Sequence, residues 1–234
     1  MSQEIEFYSS VKGRLRAQLR ILGRRPYRPV WEAMRRFTET RGPETPDQFW
    51  FLEHEPVFTT GVRPARHLLK GTGSIPLVET DRGGLITYHG PGQLIFYPLL
   101  DLRRLGIGVR KLVSALEGAV VDLLRQYRIR AETRREAPGV YVEGRKIASI
   151  GLKVREGCSY HGLALNVAMD LEPFGMIIPC GLPEVEMTQL RDLGVTTRPY
   201  EVAPPLLAAF LERLQLKIVP ESASPAISSE GPVP

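Results

Sequence analysis

Four short stretches of this chain concentrate side chains able to do chemistry. The first, Arg82-Gly83-Gly84-Leu85-Ile86-Thr87-Tyr88-His89-Gly90-Pro91-Gly92-Gln93, sets four glycines among hydrogen-bonding and titratable groups. Glycine lets backbone approach a ligand closely, so the stretch reads either as a long turn or as a binding loop. The apolar run that follows at once favours a loop seated on a buried strand, where binding sites collect. The spacing matches neither a phosphate loop nor a dinucleotide fingerprint. The second stretch is Gly144 to Gly151. A lysine beside a turn is ordinarily solvated, but Lys146 leads straight into apolar residues, and partial burial suits a lysine to proton transfer. The third, Ser159 to Val167, carries His161, and a lone strand histidine is ordinarily structural. The fourth, Ile177-Ile178-Pro179-Cys180-Gly181-Leu182, puts a cysteine between proline and glycine. That context forces a turn, where a thiol can be exposed and tuned, although a free cysteine is more often a small buried apolar residue.

The elements that must position these groups follow from hydrophobic period. Leu15, Ala17, Leu19 and Ile21 alternate with polar residues, which predicts a half-buried strand ended by Gly23. Tyr27, Val30, Trp31, Met34 and Phe37 predict a helix over about 27–39, stopped by Arg41-Gly42-Pro43. Short apolar runs predict strands at 49–52 and 78–80, with a loop over most of 62–80. Leu94 to Leu100 is continuous and predicts a strand covered on both faces. A stripe of Val109, Leu112, Val113, Leu116, Val120, Leu123, Leu124 and Tyr127 predicts a helix over 109–127. Gly139–Val142 and Lys146–Leu152 flank Glu143-Gly144-Arg145 and predict a β-hairpin turning at Gly144. A further strand is expected over 159–168, with helices over 186–194 and 204–216. Hairpins beside separate helices indicate an α+β fold with a mixed, mostly antiparallel sheet.

Composition limits the function classes. The chain has 234 residues, 43% of them hydrophobic and 24% charged, an ordinary balance for one large domain rather than a disordered chain or a rod. No apolar run is long enough to span a bilayer, and the first residues lack a secretory h-region, so a cytoplasmic protein is expected. Two cysteines are too few for a disulfide scaffold or a four-thiolate zinc site. The formal net charge of +5 comes with a basic run between Lys12 and Arg36, but no nucleic-acid-binding motif accompanies it. The expected organisation is a flexible N-terminus over 1–13, a single catalytic domain over 14–219 and a disordered Ser/Pro-rich tail over 220–234.

The motifs together resemble the lipoyl(octanoyl) transferase family of lipoate biosynthesis. The resemblance rests on Arg82-Gly83-Gly84-x-x-Thr87-Tyr88-His89-x-Pro91-Gly92-Gln93 with Tyr97-Pro98. It continues through Glu53-His54-x-Pro56-Val57-Phe58-Thr59, Lys146-Ile147-Ala148-x-Ile150-Gly151, His161-Gly162-x-Ala164-Leu165-Asn166-Val167 and Pro179-Cys180-Gly181, and spans about residues 19–215. It implies the α+β fold of lipoate and biotin protein ligases. It implies transfer of an octanoyl group from octanoyl-acyl carrier protein, through a cysteine thioester, to a lysine ε-amine. The acceptors would be lipoyl domains of 2-oxoacid dehydrogenase complexes and the glycine cleavage H protein; neither nucleic acid nor membrane is implied as a partner. On the family's pattern Cys180 carries the acyl group and Lys146 favours its thiolate. Arg82, Gly83, Gly84, Leu85, Ile86, Thr87, Tyr88 and His89 fall on its substrate-binding segments. So do Ser149, Ile150 and Gly151, and Gly162, Leu163 and Ala164. No ATP, metal or organic cofactor is implied, because the donor arrives activated. Two other classes compete: an ATP-dependent lipoate or biotin ligase of the same fold, and a basic non-enzymatic binding module. Cys158 is expected to be a bystander.

Overall fold

The computed structural model describes residues 4–5, 14–63, 66–178 and 185–218. Its centre is an eight-stranded mixed sheet. In chain order the strands are β1 (Glu4–Ile5), β2 (Arg14–Leu15), β3 (Ala17–Arg25), β4 (Asp47–His54), β5 (Val57–Thr60), β6 (Leu77–Glu79), β7 (Thr87–His89), β8 (Gln93–Leu99), β9 (Glu132–Thr133), β10 (Gly139–Val142), β11 (Arg145–Arg155), β12 (Cys158–Asn166) and β13 (Lys217–Ile218). The large sheet runs β1-β3-β4-β8-β12-β11-β10-β9, antiparallel throughout except for the β3–β4 pair. A three-stranded sheet, β6-β5-β7, flanks it, and β13 pairs with β2. The helices are α1 (Tyr27–Thr40), α2 (Leu102–Leu105), α3 (Val109–Gln126) and α4 (Ala203–Leu214). The α+β architecture expected from the sequence is the one found.

The period of two explains why β4 and β8 read as unbroken apolar runs. Phe49 and Phe51 of β4 and Leu94 and Phe96 of β8 face the core shared with α3 and α4. Their neighbours Trp50, Leu52, Ile95, Tyr97 and Leu99 face α1, packing against Val30 and Met34. A central strand with helices on both faces buries every residue, so alternation of polarity disappears. Burial of each large apolar side chain contributes about 1.5–3 kcal/mol, so the two layers fix the sheet that carries the site.

Three expectations are corrected. Gly23 does not end β3: the strand continues to Arg25, and the register against β4 shifts between Ile21 and Arg24. Gly23 has φ +68°, the conformation of a bulge rather than a stop. Residues 186–190 are not helical. Lys146 and Met187 form a parallel bridge, with Lys146 N–H donating to Glu186 O at 2.8 Å and Thr188 N–H to Lys146 O at 2.9 Å. Backbone groups spent on Lys146 at the start of β11 cannot close a helix, and within 186–194 only Arg191–Leu193 makes a 3-10 turn, ended by Gly194 at φ +81°. The α3 stripe overshoots at both ends, for Val109 and Tyr127 are exposed. Most of residues 1–13, and the expected tail over 220–234, lie outside the described residues.

Candidate active site

Glycine and a short strand place the first stretch. Arg82 follows Asp81 into the loop before β7 and is itself buried. Its Nη2 donates to Thr59 O at 2.6 Å and to Thr59 Oγ1 at 2.8 Å, which ties the loop to β5. Gly83 N–H donates to Leu152 O at 2.9 Å, which ties the same loop to β11. This close approach requires Gly151 to be glycine, since a Cβ there would sit 2.9 Å from Gly83 O.

These ties close a concave cavity enclosing about 510 Å³ of empty space counted out to its mouth. Arg82, Gly83, Gly84, Leu85, Ile86, Thr87 and His89 line one wall. Lys146, Ser149, Ile150 and Gly151 of β11 and Gly162, Leu163 and Ala164 of β12 line another. Tyr88 does not belong to the lining: its ring turns away to pack against Phe58 and Phe174. Cys180 lies outside the described residues. The chain on either side of it is anchored, with Ile178 N–H donating to Leu68 O at 2.8 Å and Glu186 O accepting from Lys146 N–H. Ile178 and Met187 pack in the same cluster as Leu85 and Ile86 of the wall.

Lys146 is 1% exposed. Its Nζ donates to Pro138 O at 3.1 Å and lies 5.4 Å from the centre of the Tyr141 ring. A register shift between Val140 and Tyr141 sets Tyr141 opposite Lys146 while Val140 opposes Ala148. The resulting bulge re-aims the lysine, as bulges beside sites commonly do.

The floor of the cavity is polar and mutually satisfied. Tyr27, Tyr97 and His161 reach the lining, with His54 and Asp81 behind them. His54 Nδ1–H donates to Arg25 O at 3.0 Å, which leaves Nε2 to accept from Tyr97 OH at 2.9 Å. His89 Nδ1–H donates to Gln93 Oε1 at 2.8 Å, and its ring stacks on Tyr27. Gln93 Nε2 donates to Asn166 Oδ1 at 2.9 Å, and Asn166 Nδ2 to Thr188 O at 3.0 Å. Burial pushes His54 down to about 4 and holds His89 and His161 below their ordinary value, so all three are neutral at pH 7. His161 Nε2–H therefore makes a hydrogen bond to Asp81 Oδ1 at 3.0 Å, not an ion pair. Asp81 also accepts from Trp31 Nε1 at 2.8 Å and from Tyr160 OH. Burial opposes its ionisation, but the three donors outweigh burial and hold its carboxyl below the usual range.

A buried lysine in the wall, apolar residues beside it and a floor of neutral histidines can hold an acyl chain and move a proton. Among the described residues no group of three or more His, Cys, Asp or Glu is arranged to hold a metal ion, and no helix is long and apolar enough to cross a membrane. The sequence does not single out Tyr27, Ile95 or Tyr97 as site residues, and it reads His161 as a structural strand histidine. Tyr27 and Ile95 read as core positions on a helix stripe and in an apolar run, and only the family blocks around His54, Tyr97 and His161 hinted at the floor. Cys158 opens β12, is 4% exposed, and burial pushes its thiol up. It is not among the lining residues.

The family described as lipoyl protein ligase A/B catalytic domain matches residues 26–211. A protein of Alkalilimnicola ehrlichii named octanoyltransferase is 64% identical over 184 residues, covering 79% of this chain and 85% of the relative. The crystal structure of a lipoate-protein ligase A bound with ATP superposes with a TM-score of 0.71 at 18% identity, over 91% of this chain and 90% of the other. The biotin protein ligase of Aquifex aeolicus superposes with a TM-score of 0.51 at 16% identity, over 84% and 68%. At those identities the two structures establish a shared fold.

Proposed function

Since this chain belongs to the lipoyl protein ligase A/B catalytic domain family, and is an acyltransferase of octanoyl transfer in lipoylation, we propose that it works in two steps through Cys180 and Lys146. Residues 14–219 form the one catalytic domain. In the first step the Cys180 thiolate attacks the thioester carbonyl of octanoyl-acyl carrier protein. The Sγ–acyl bond forms, the donor's C–S bond breaks, and the departing thiolate takes its proton from the Lys146 ammonium, which leaves that amine neutral for the second step. Exchange of one thioester for another is close to isoenergetic, so no ATP is consumed. An ordinary cysteine is only about 3% thiolate at pH 7, and a neighbouring ammonium raises that fraction.

In the second step the ε-amine of a lysine on a lipoyl domain attacks the acyl-enzyme. The C–N bond forms, the Sγ–acyl bond breaks, and the amine's proton passes through neutral Lys146 to the departing sulfur. Proton transfer of this kind typically contributes 10²–10⁴-fold. Backbone N–H groups of the glycine loop are candidates to stabilise the developing oxyanion. The octanoyl chain lies along Leu85, Ile86, Ile150 and Leu163.

The observation that carries this reading is the convergence of three distant segments on one cavity with a buried lysine in its wall. The anchoring of the chain on both sides of Cys180, one side to Lys146 itself, supports the pairing of the two residues. Transfer to an isolated lipoyl domain from octanoyl-acyl carrier protein in nucleotide-free buffer tests it. Octanoylated product without ATP is the expected result. Product that appears only with ATP and free octanoate overturns it in favour of the ligase reading.

A further inference from the structure

We propose that Glu117 of α3, which lies outside the cavity lining, is the positioning residue for Lys146 and acts through the Pro138–Gly139 peptide. The inference rests on Lys146 serving the transfer as described above. One peptide unit separates the two side chains. Its carbonyl, on Pro138, accepts from Lys146 Nζ at 3.1 Å, and its N–H, on Gly139, donates to Glu117 Oε1 at 2.9 Å. A carboxylate on the N–H side makes a charge-assisted bond and polarises the carbonyl on the other side, which strengthens the hold on the ammonium.

The peptide has to be held by something outside itself. Gly139 has φ +145°, and a Cβ there would lie 2.4 Å from Ala148 O and 2.6 Å from Lys146 Cε. Position 139 must therefore be glycine for the lysine to fit, and glycine is the residue with most freedom to lose. Glu117 removes that freedom. It does so from a helix position flanked by the fully buried Leu116 and by Val120 one turn on, where a half-buried carboxyl costs desolvation. Burial raises its pKa, while the Gly139 N–H and the nearby Lys146 charge lower it. The charged or titratable groups around this peptide include, among the described residues, Glu117 on α3, Tyr141 on β10, Lys146 on β11 and Arg134 just after β9, whose guanidinium lies 4.2 Å from the centre of the same Tyr141 ring. Arg82 and His89 line the same cavity, and Glu186 lies on the segment bridged to β11.

The sign of the electrostatic effect does not depend on which site group titrates. Removing a negative charge makes a nearby ammonium or thiol easier to deprotonate, so the acidic limb of the pH–rate profile moves to lower pH. The test compares Glu117→Ala, Glu117→Gln and Lys146→Ala in steady-state transfer across pH, with thermal melts on each. Glu117→Ala is expected to lose about tenfold in kcat with KM for octanoyl-acyl carrier protein within about twofold, the pattern of a misplaced catalytic group. Glu117→Gln keeps an acceptor for Gly139 N–H, so it should recover most of that loss while its acidic limb moves to lower pH. Should Glu117→Ala melt early, the isosteric glutamine variant still decides the matter through its pH profile. A wild-type kcat in Glu117→Ala, or an unmoved limb in Glu117→Gln, overturns the inference. An inactive Lys146→Ala alongside either result confines the failure to Glu117, whereas a fully active Lys146→Ala sinks the proposed function and this inference with it.

Discussion

Acid should destabilise this protein from the floor of its cavity. The perturbation is a change from about pH 7.5 to about pH 5, across which His54, His89 and His161 are all displaced from their ordinary titration range. Each is held below its ordinary value, mainly because burial disfavours the imidazolium. The unfolded chain therefore takes up these protons first as the pH falls below 6.5, and folding stability declines from there down to the folded value, about 4 for His54. Each pH unit in that window costs about 1.4 kcal/mol per group, so His54 alone removes about 2 kcal/mol by pH 5. His89 and His161 act in the same direction. For a domain whose total stability is about 5–15 kcal/mol this is a large share. Urea unfolding at a series of pH values reads it out as a falling midpoint. His54→Gln keeps a donor for Arg25 O and an acceptor for Tyr97 OH, and it should flatten the dependence by His54's share. A midpoint constant over this range, or a slope unchanged in His54→Gln, refutes the placement of neutral histidines in the floor.

Two further outcomes follow from burial. Lys146→Met removes the buried ammonium while keeping bulk; the melting temperature should change little, because burying the charge was itself costly, but transfer should fall about 10²–10⁴-fold. Single-turnover rates beside thermal melts check this, and a near-wild-type rate counts against the proton role. Cys158→Ser should retain the acyl adduct and nearly all activity, since Cys158 is buried and its thiol pushed up. Peptide mass mapping after brief alkylation of the folded protein should find Cys158 unmodified, and preferential labelling there would reopen the choice of nucleophile.

Much of this architecture is legible in the sequence because period and turn chemistry act locally. The alternation at Leu15 to Ile21, the three-four stripe of α3 and the Glu143-Gly144 turn each specify an element without reference to the rest of the chain. The double-sided burial of β8 is legible too, as an unbroken apolar run between Gln93 and Leu100. What was not legible depends on long-range pairing. Residues 186–190 carry apolar residues at helical spacing, yet their backbone pairs with Lys146 at the start of β11, which Met187 follows by 41 residues in sequence (187 − 146). The bulge that sets Tyr141 opposite Lys146 leaves no mark on polarity, because Lys146, Ile147 and Ala148 are all buried. The same holds for the site. The glycine-dense loop and the lysine stand out by type and spacing, but Tyr27 reads as the first residue of a core stripe. Its place beside His89 comes from packing of α1 across the sheet. The floor's dependence on Asp81 is equally non-local, since its three donors arrive from α1 and β12.

The most direct test of the central claim is intact mass spectrometry after mixing the protein with octanoyl-acyl carrier protein and no acceptor. One octanoyl group should be added, removable by hydroxylamine as a thioester is, located at Cys180 by peptide mapping, and absent from Cys180→Ala. It should be discharged on addition of a lipoyl domain. Full transfer by Cys180→Ala, or an adduct that survives hydroxylamine or maps elsewhere, would contradict the account.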